Sequence, residues 1–157
     1  MISIFIVDPV AITVRYWEER DDEVEGGARI EVRRVTDVVG ARHRPGAGGW
    51  RVEPVSSGGL WRSDILTVIS RPGNEQRYHH HPQFSAGDVG PRVFDPEMTA
   101  DPVGFTMARL ADLPGLLVAA GAPELAERID REDLARALPA VRAAIDACLA
   151  QLRRVPA

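Results

Sequence analysis

Residues 60–84 read LWRSDILTVISRPGNEQRYHHHPQF, and this stretch contains two strand-like segments on either side of a turn. Residues 60–70 are rich in apolar and β-branched side chains, as in a strand. Residues 71–74, RPGN, favour a turn, and residues 77–84 return to a strand-like pattern. The stretch therefore predicts two antiparallel neighbouring strands.

The second of these strands carries three consecutive histidines, His79, His80 and His81. Side chains alternate along a strand, so at most two of the three can share a face. A loop of two or four residues places Asp64 on the face of His79 and His81, directly opposite His81 in the shorter case. A loop of odd length places Asp64 with His80 instead. The sequence therefore predicts a carboxylate beside at least one imidazole.

Three interpretations of this cluster remain open at the level of sequence. The first is an enzyme of lyase, isomerase or cyclase type, in which Asp64, His79, His80 and His81 are the catalytic candidates for acid–base chemistry. The second is an enzyme with a divalent transition metal held by His79 and His81, with Asp64 or Asp88 as a third ligand. The third is a noncatalytic small-ligand-binding or protein-interaction module, in which the histidines are structural or line a ligand pocket or subunit contact together with tryptophans.

Aromatic and arginine residues near the cluster are candidates for binding a small polar or anionic molecule. The chain has 19 arginines and no lysine, and a guanidinium suits carboxylate and phosphate groups. A codon bias towards arginine explains the same composition. The substrate-binding candidates are Trp61, Arg62, Arg77, Tyr78 and Arg92, and Arg62, Arg77 and Arg92 are predicted to converge as an anion clamp.

The rest of the chain extends this strand pair into an α+β fold. Residues 1–7 form an apolar strand, and residues 10–17 and 28–33 alternate as a hairpin across an acidic loop at residues 18–27. Asp95-Pro96 and Asp101-Pro102 are helix starts, and Pro139 is expected to open the alanine-rich terminal helix. We predict one domain over residues 1–157: an antiparallel sheet of about five or six strands in residues 1–95, covered by helices in residues 96–154.

Composition excludes several classes of function. The net charge of −4, without a basic patch, argues against a nucleic-acid partner. No apolar run is long enough to span a bilayer, and no leader precedes the first strand, so we expect no membrane association and a cytoplasmic location. Cys148 lies in an apolar helical stripe and is predicted to be buried and inert. The alanine-rich terminal helix could pack against a second copy, giving a homodimer.

The glycine-rich stretch of residues 40–59 is predicted to be a long loop. It lacks the spacing of a nucleotide-cofactor fingerprint or a P-loop. Arg42, His43 and Arg44 would place three polar groups on it, as in a binding lid. A plain surface loop fits the same residues.

Three segments together resemble a group of actinobacterial proteins without a known activity. They are residues 61–66 (WRSDIL), 79–82 (HHHP) and 92–95 (RVFD), matching WRxDxL, HHHP and RVFD stretches of that group. The resemblance covers the middle third of the chain. It implies only that Asp64, the three histidines and Arg92 belong to one feature.

Overall fold

The protein combines a five-stranded antiparallel sheet with five helices that follow it in the chain, in a computed structural model that describes residues 2–20, 22–35, 58–70, 75–85 and 88–152. The sheet has the order β1-β2-β3-β4-β5, and β6 and β7 form a separate two-stranded ribbon. The predicted α+β class is confirmed. The strands are β1 (Ile2–Val7), β2 (Val10–Arg20), β3 (Val24–Arg34), β4 (Gly59–Val68), β5 (Glu75–His81), β6 (Phe84–Ser85) and β7 (Asp88–Val89). The helices are α1 (Pro96–Ala100), α2 (Pro102–Ala111), α3 (Leu113–Ala119), α4 (Pro123–Ala126) and α5 (Arg131–Leu152).

The hairpin of β2 and β3 is present but longer than its sequence pattern indicated. Val14 pairs with Ile30 as the alternation predicts, yet pairing continues outwards to Arg20 and Val24. Glu18 and Glu19 therefore lie in β2, and the prediction of a loop over residues 18–27 was wrong at both ends. Charged side chains at the solvent end of a hairpin do not prevent backbone pairing, so the apolar pattern ends before the ladder does.

The two faces of the sheet differ sharply in chemistry. One face packs against the helices through apolar side chains such as Ile12, Ile30 and Ile65, and α5 lies against β2 and β3. We call this the helix-covered face. The opposite side is the charged face, which carries Arg15, Trp17, Arg29, Glu31, Arg33, Arg62, Asp64, Arg77, His79 and His81 at alternating positions of β2 to β5.

The edge strand β1 presents apolar side chains on both of its sides. Val7 is buried, and Phe5 packs against the core. Ile2, Ile4 and Ile6 point the other way and are 57–62% exposed. The strand joins β2 through a two-residue turn, because Val7 pairs directly with Val10.

Aspartates cap four of the helices, and the sequence predicted the starts at Asp95 and Asp101. The carboxylate of Asp95 accepts a hydrogen bond from the Glu97 amide, and that of Asp101 accepts one from the Gly104 amide. Asp112 caps α3 in the same way. A side-chain acceptor satisfies an amide that has no partner inside the helix.

The terminal helix starts eight residues earlier than expected, because α5 runs from Arg131 to Leu152 with Pro139 inside it. The expectation that Pro139 begins this helix was wrong. The Asp130 carboxylate accepts hydrogen bonds from the first-turn amides. Burial of Leu134, Ile145 and other side chains on one helix face offsets a proline penalty of about 3 kcal/mol.

Cys148 belongs to the buried face of α5 and is fully buried. Burial raises the pKa of its thiol, as expected for an unreactive core cysteine. None of the helices in the described part of the chain has the length and hydropathy needed to cross a membrane. Arg42, His43 and Arg44 of the predicted glycine-rich loop lie outside the described residues.

Candidate functional site

Strand register brings Asp64 and two histidines onto the charged face. Asp64 pairs directly with His79, and Arg62 pairs with His81. The paired strand ends are Val68 and Glu75, so the connection has an even number of residues. This parity agrees with the even-loop prediction that Asp64 shares a face with His79 and His81, although the connection is longer than either loop considered.

His80 points to the opposite side of the strand and lies in the core. Its ring centroid is 5.2 Å from that of Phe105 and 6.5 Å from that of Trp61. Its backbone forms both hydrogen bonds of an isolated bridge to Val93. Burial, with the positive charge of Arg109, lowers the pKa of His80. These surroundings favour a neutral, structural imidazole.

The two remaining histidines form a compact buried cluster with Asp64. His79 Nε2 lies 3.3 Å from Asp64 Oδ2, and His81 Nε2 lies 3.6 Å from the same oxygen. All three residues are at most 3% exposed. One potential ligand atom from each residue lies within 4.8 Å of the others. Asp88, the alternative third ligand, is exposed and pairs with Ser85 in the β6–β7 ribbon.

Backbone carbonyls fix the orientation of both imidazoles. His79 Nδ1 lies 3.0 Å from the Arg77 carbonyl oxygen, and His81 Nδ1 lies 2.6 Å from that of Gly90. A carbonyl oxygen only accepts, so each Nδ1 must donate a proton to it. In the neutral form, each Nε2 therefore presents a lone pair towards Asp64. In that form, two lone pairs and a carboxylate oxygen would face one another, which is unfavourable unless a proton or a metal ion lies between them.

Two arginines hold Asp64 in its ionised form. Arg29 Nε donates a hydrogen bond of 2.6 Å to Oδ1, and Arg62 Nε lies 3.2 Å from Oδ2. Burial by itself would raise the pKa of Asp64, but hydrogen bonds from His79 and His81, which require a proton on Nε2, and the charge and hydrogen bond of Arg29 hold that pKa well below its usual range. Among the described residues, Oδ2 has no hydrogen-bond partner of good geometry.

The Trp17 ring packs against the guanidinium groups of Arg29 and Arg15. The Arg29 guanidinium stacks over the Trp17 ring at 3.9 Å, and that of Arg15 lies 4.8 Å from the same ring centroid.

Gly27 lies between Trp17 and Leu66 in the ladder, and a Cβ there would come within 2.0 Å of the Ile65 carbonyl oxygen. The close approach of β3 to β4 at this point therefore depends on glycine.

The predicted substrate-binding residues do not form one site. Trp61 and Tyr78 lie on the helix-covered face, where Trp61 is part of the core. Arg77 pairs with Glu23, Glu25 and Glu75. The structure thus brings only Arg62 to the Asp64 cluster.

Arg92 and Arg77 instead line a cavity of about 440 Å³ with the acidic residues Glu19, Asp22, Glu23 and Glu25. A larger cavity, of about 600 Å³, lies among α1 to α3. His79 and His81 line neither cavity, so neither one opens the cluster to a small molecule.

The sequence did not point to Trp17, Arg29 or Glu31 as site residues. Arg29 pairs directly with Asp64 across β3 and β4, although 35 residues separate them in the chain. The available signal was the alternation of Arg29, Glu31 and Arg33 in β3, which indicates a polar strand face. Alternation alone does not distinguish a solvated face from a buried charged one.

No protein-family model, curated protein or solved structure matched this chain. The site must therefore be interpreted from its own geometry.

Proposed function

We propose that Asp64, His79 and His81 bind a divalent transition metal and that the protein is a small-molecule enzyme built on this centre. The observation that carries the proposal is the pair of backbone-fixed imidazoles, whose Nε2 atoms converge with Asp64 Oδ2. Two imidazoles and one carboxylate suit zinc or ferrous iron. Three protein ligands would leave a coordination position unfilled, as catalytic metal sites require, although neither cavity described above reaches it.

The contacts around the ligands agree with this assignment. Metal-bound histidines commonly donate their other ring N–H to a carbonyl or carboxylate, as His79 and His81 do here. Arg29 occupies Oδ1 of Asp64, and Oδ2, which has a 3.2 Å contact with Arg62 Nε but no hydrogen bond of good geometry, is the oxygen that would bind the metal. A bound metal would supply a Lewis acid that lowers the pKa of a coordinated water.

Acid–base chemistry without a metal is the second candidate. The observation in its favour is the 3.3 Å separation between His79 Nε2 and Asp64 Oδ2, which is close enough for a charged hydrogen bond once Nε2 carries a proton. In this alternative, a proton takes the position of the metal. The two candidates therefore differ in which cation lies between the three atoms.

Metal binding tests the first candidate. Protein purified without a histidine tag would be stripped with chelator and titrated with Zn²⁺ and with Co²⁺, whose absorption spectrum reports its coordination. We expect one metal per chain. His79→Gln and His81→Gln should each lower the affinity by more than the about 10–100-fold typical of losing an outer partner. His80→Gln, the matched control on the other face, should keep wild-type affinity.

The opposite results separate the candidates. No stoichiometric metal, or equal losses in all three variants, would refute the metal centre. The imidazole ¹⁵N shifts of the metal-free protein then test the acid–base candidate, which requires a proton on His79 Nε2. An unprotonated Nε2 throughout the pH range in which the protein is folded would refute that candidate too.

A further inference from the structure

Three arginines surround a single carboxylate on the charged face. The Glu31 side chain is 7% exposed and lies 2.7 Å from Arg33 Nη1, 3.5 Å from Arg62 Nη1 and 3.9 Å from an Arg15 Nη atom. Only the shortest contact has the length of a strong charge-assisted hydrogen bond. One carboxylate cannot satisfy three guanidiniums.

The charges of this layer do not balance. Within the described residues, ion pairs of Arg15, Arg29, Arg33 and Arg62 end on only two carboxylates, Glu31 and Asp64. Four positive charges thus meet two negative charges. The four arginine side chains are at most 34% exposed, so water compensates this excess only in part.

The same arginines carry N–H donors without acceptors. In the described part of the chain, Nε of Arg15, Arg33 and Arg62 is buried and has no hydrogen-bond partner, and neither has Nε1 of Trp17. All four side chains lie on the charged face. Buried donors of this kind normally find a partner, because a donor that loses its hydration without gaining a hydrogen bond is destabilising. An anionic oxygen-rich ligand would supply both the missing charge and the missing acceptors.

We infer that the charged face binds a small oxoanion, a phosphate or carboxylate group, through Arg15, Arg33 and Arg62. Guanidinium groups bind such anions with paired N–H donors. Arg62 links this surface to the proposed metal centre, since its Nε lies 3.2 Å from Asp64 Oδ2 and its Nη1 lies 3.5 Å from Glu31. The inference that the substrate carries this anionic group rests on the proposed function. The inference that the charged face binds an anion does not.

These three arginines differ from the anion clamp of Arg62, Arg77 and Arg92 that the sequence predicted. Arg77 has its own carboxylate partners, and Arg92 lines the acidic cavity. Arg62 alone is common to both sets. Arg15 and Arg33 join it because β2 and β3 place them on the same face.

Calorimetric titration with inorganic phosphate, and separately with acetate, tests the inference. Each titration is run on chelator-treated protein and on zinc-loaded protein. Arg15→Gln and Arg33→Gln should weaken binding of the preferred anion by about tenfold or more, as expected for loss of a charge-assisted hydrogen bond. Arg34→Gln is the matched control, because Arg34 pairs with Glu124 instead. Among the described residues, the ion pair of Arg15 is the long 3.9 Å contact with Glu31, so Arg15→Gln remains informative if Arg33→Gln unfolds.

The outcomes distinguish this inference from the metal proposal. Anion binding in chelator that Arg15→Gln weakens and Arg34→Gln leaves intact supports the arginine site even if no metal binds. No binding of either anion to either form overturns the inference, even if zinc binds. Binding to zinc-loaded protein that ignores Arg15 and Arg33 also overturns it, because the anion would then be a metal ligand only. Equal weakening in the Arg34 control would indicate a general charge effect and would likewise overturn it.

Discussion

The helix-covered face and the charged face are built from the same strands, yet apolar packing dominates the first and ion pairs dominate the second. On β4, Asp64 belongs to a buried ionic cluster, while its neighbour Ile65 belongs to the apolar core. On β5, His79 and His80 divide in the same way. The strand period of two therefore separates the chemistry from the packing within single strands. Mutations one residue apart should have different kinds of effect.

The largest expected effect is on the charged face, with Asp64→Asn. The change leaves Arg29 buried without its anionic partner and leaves Arg62 with the 3.5 Å contact to Glu31. Breaking a buried ion pair from one side costs about 3–5 kcal/mol. Urea unfolding should show this loss in the free energy of unfolding. Asp88→Asn, on the exposed ribbon, is the control and should change stability by less than about 0.5 kcal/mol. Equal stabilities of the two variants would contradict the ionic cluster as drawn.

The Asp64 contribution should also depend on pH in a defined direction. The folded-state pKa of Asp64 lies below its unfolded value, so the unfolded chain takes up the proton first as pH falls. The stabilisation is therefore complete above the ordinary aspartate pKa of about 4 and is lost progressively below it. The stability gap between wild type and Asp64→Asn should narrow below that pH. A gap that stays constant down to the acid transition would contradict the lowered pKa.

A pair of isoleucine substitutions compares apolar burial on the two sides. Ile30 is fully buried on the helix-covered face, whereas Ile4 on β1 is 57% exposed on the opposite side. Ile30→Ala should cost about 2–5 kcal/mol through lost burial and the cavity it leaves. Ile4→Ala should stay within about 0.5 kcal/mol of wild type. A large effect of Ile4→Ala in dilute monomeric protein would show that its side chain is covered in solution.

His80→Leu should cost less stability than Asp64→Asn or Ile30→Ala. His80 lies among aromatic rings, its Nδ1 is buried without a partner among the described residues, and leucine has a similar volume. We expect a change in stability below about 1.5 kcal/mol, as for volume-conserving core exchanges. His79→Leu is the comparison, because it leaves the Arg77 carbonyl and Asp64 without this imidazole. A larger loss of stability in His80→Leu than in His79→Leu would contradict the placement of His80 in the core and of His79 in the ionic cluster.

The sequence was most informative where local rules decide the structure. Alternation predicted the β2–β3 hairpin, turn chemistry predicted the β4–β5 pair, and aspartate before proline predicted two helix starts. It was least informative where distant strands meet. Arg29 reaches Asp64 only because β3 pairs with β4, and pairing register between segments so far apart in the chain is not written in either strand alone.

The two-residue turn at Asp8 and Pro9 has a consequence for how β1 finds its place. Ile2, Ile4 and Ile6 occupy one side of this strand, and Phe5 and Val7 lie with Ser3 on the other. A shift by one residue would therefore exchange one largely apolar set for another and lose little burial. The hydrophobic pattern of β1 therefore specifies its register poorly, and the short link to Val10 must specify it instead. Two glycines inserted between Asp8 and Pro9 should let the strand populate alternative alignments, visible as doubled amide resonances for β1. In this part of the sheet, the length of a turn sets the pairing register, whereas in the other strands the alternation of polar and apolar side chains sets it.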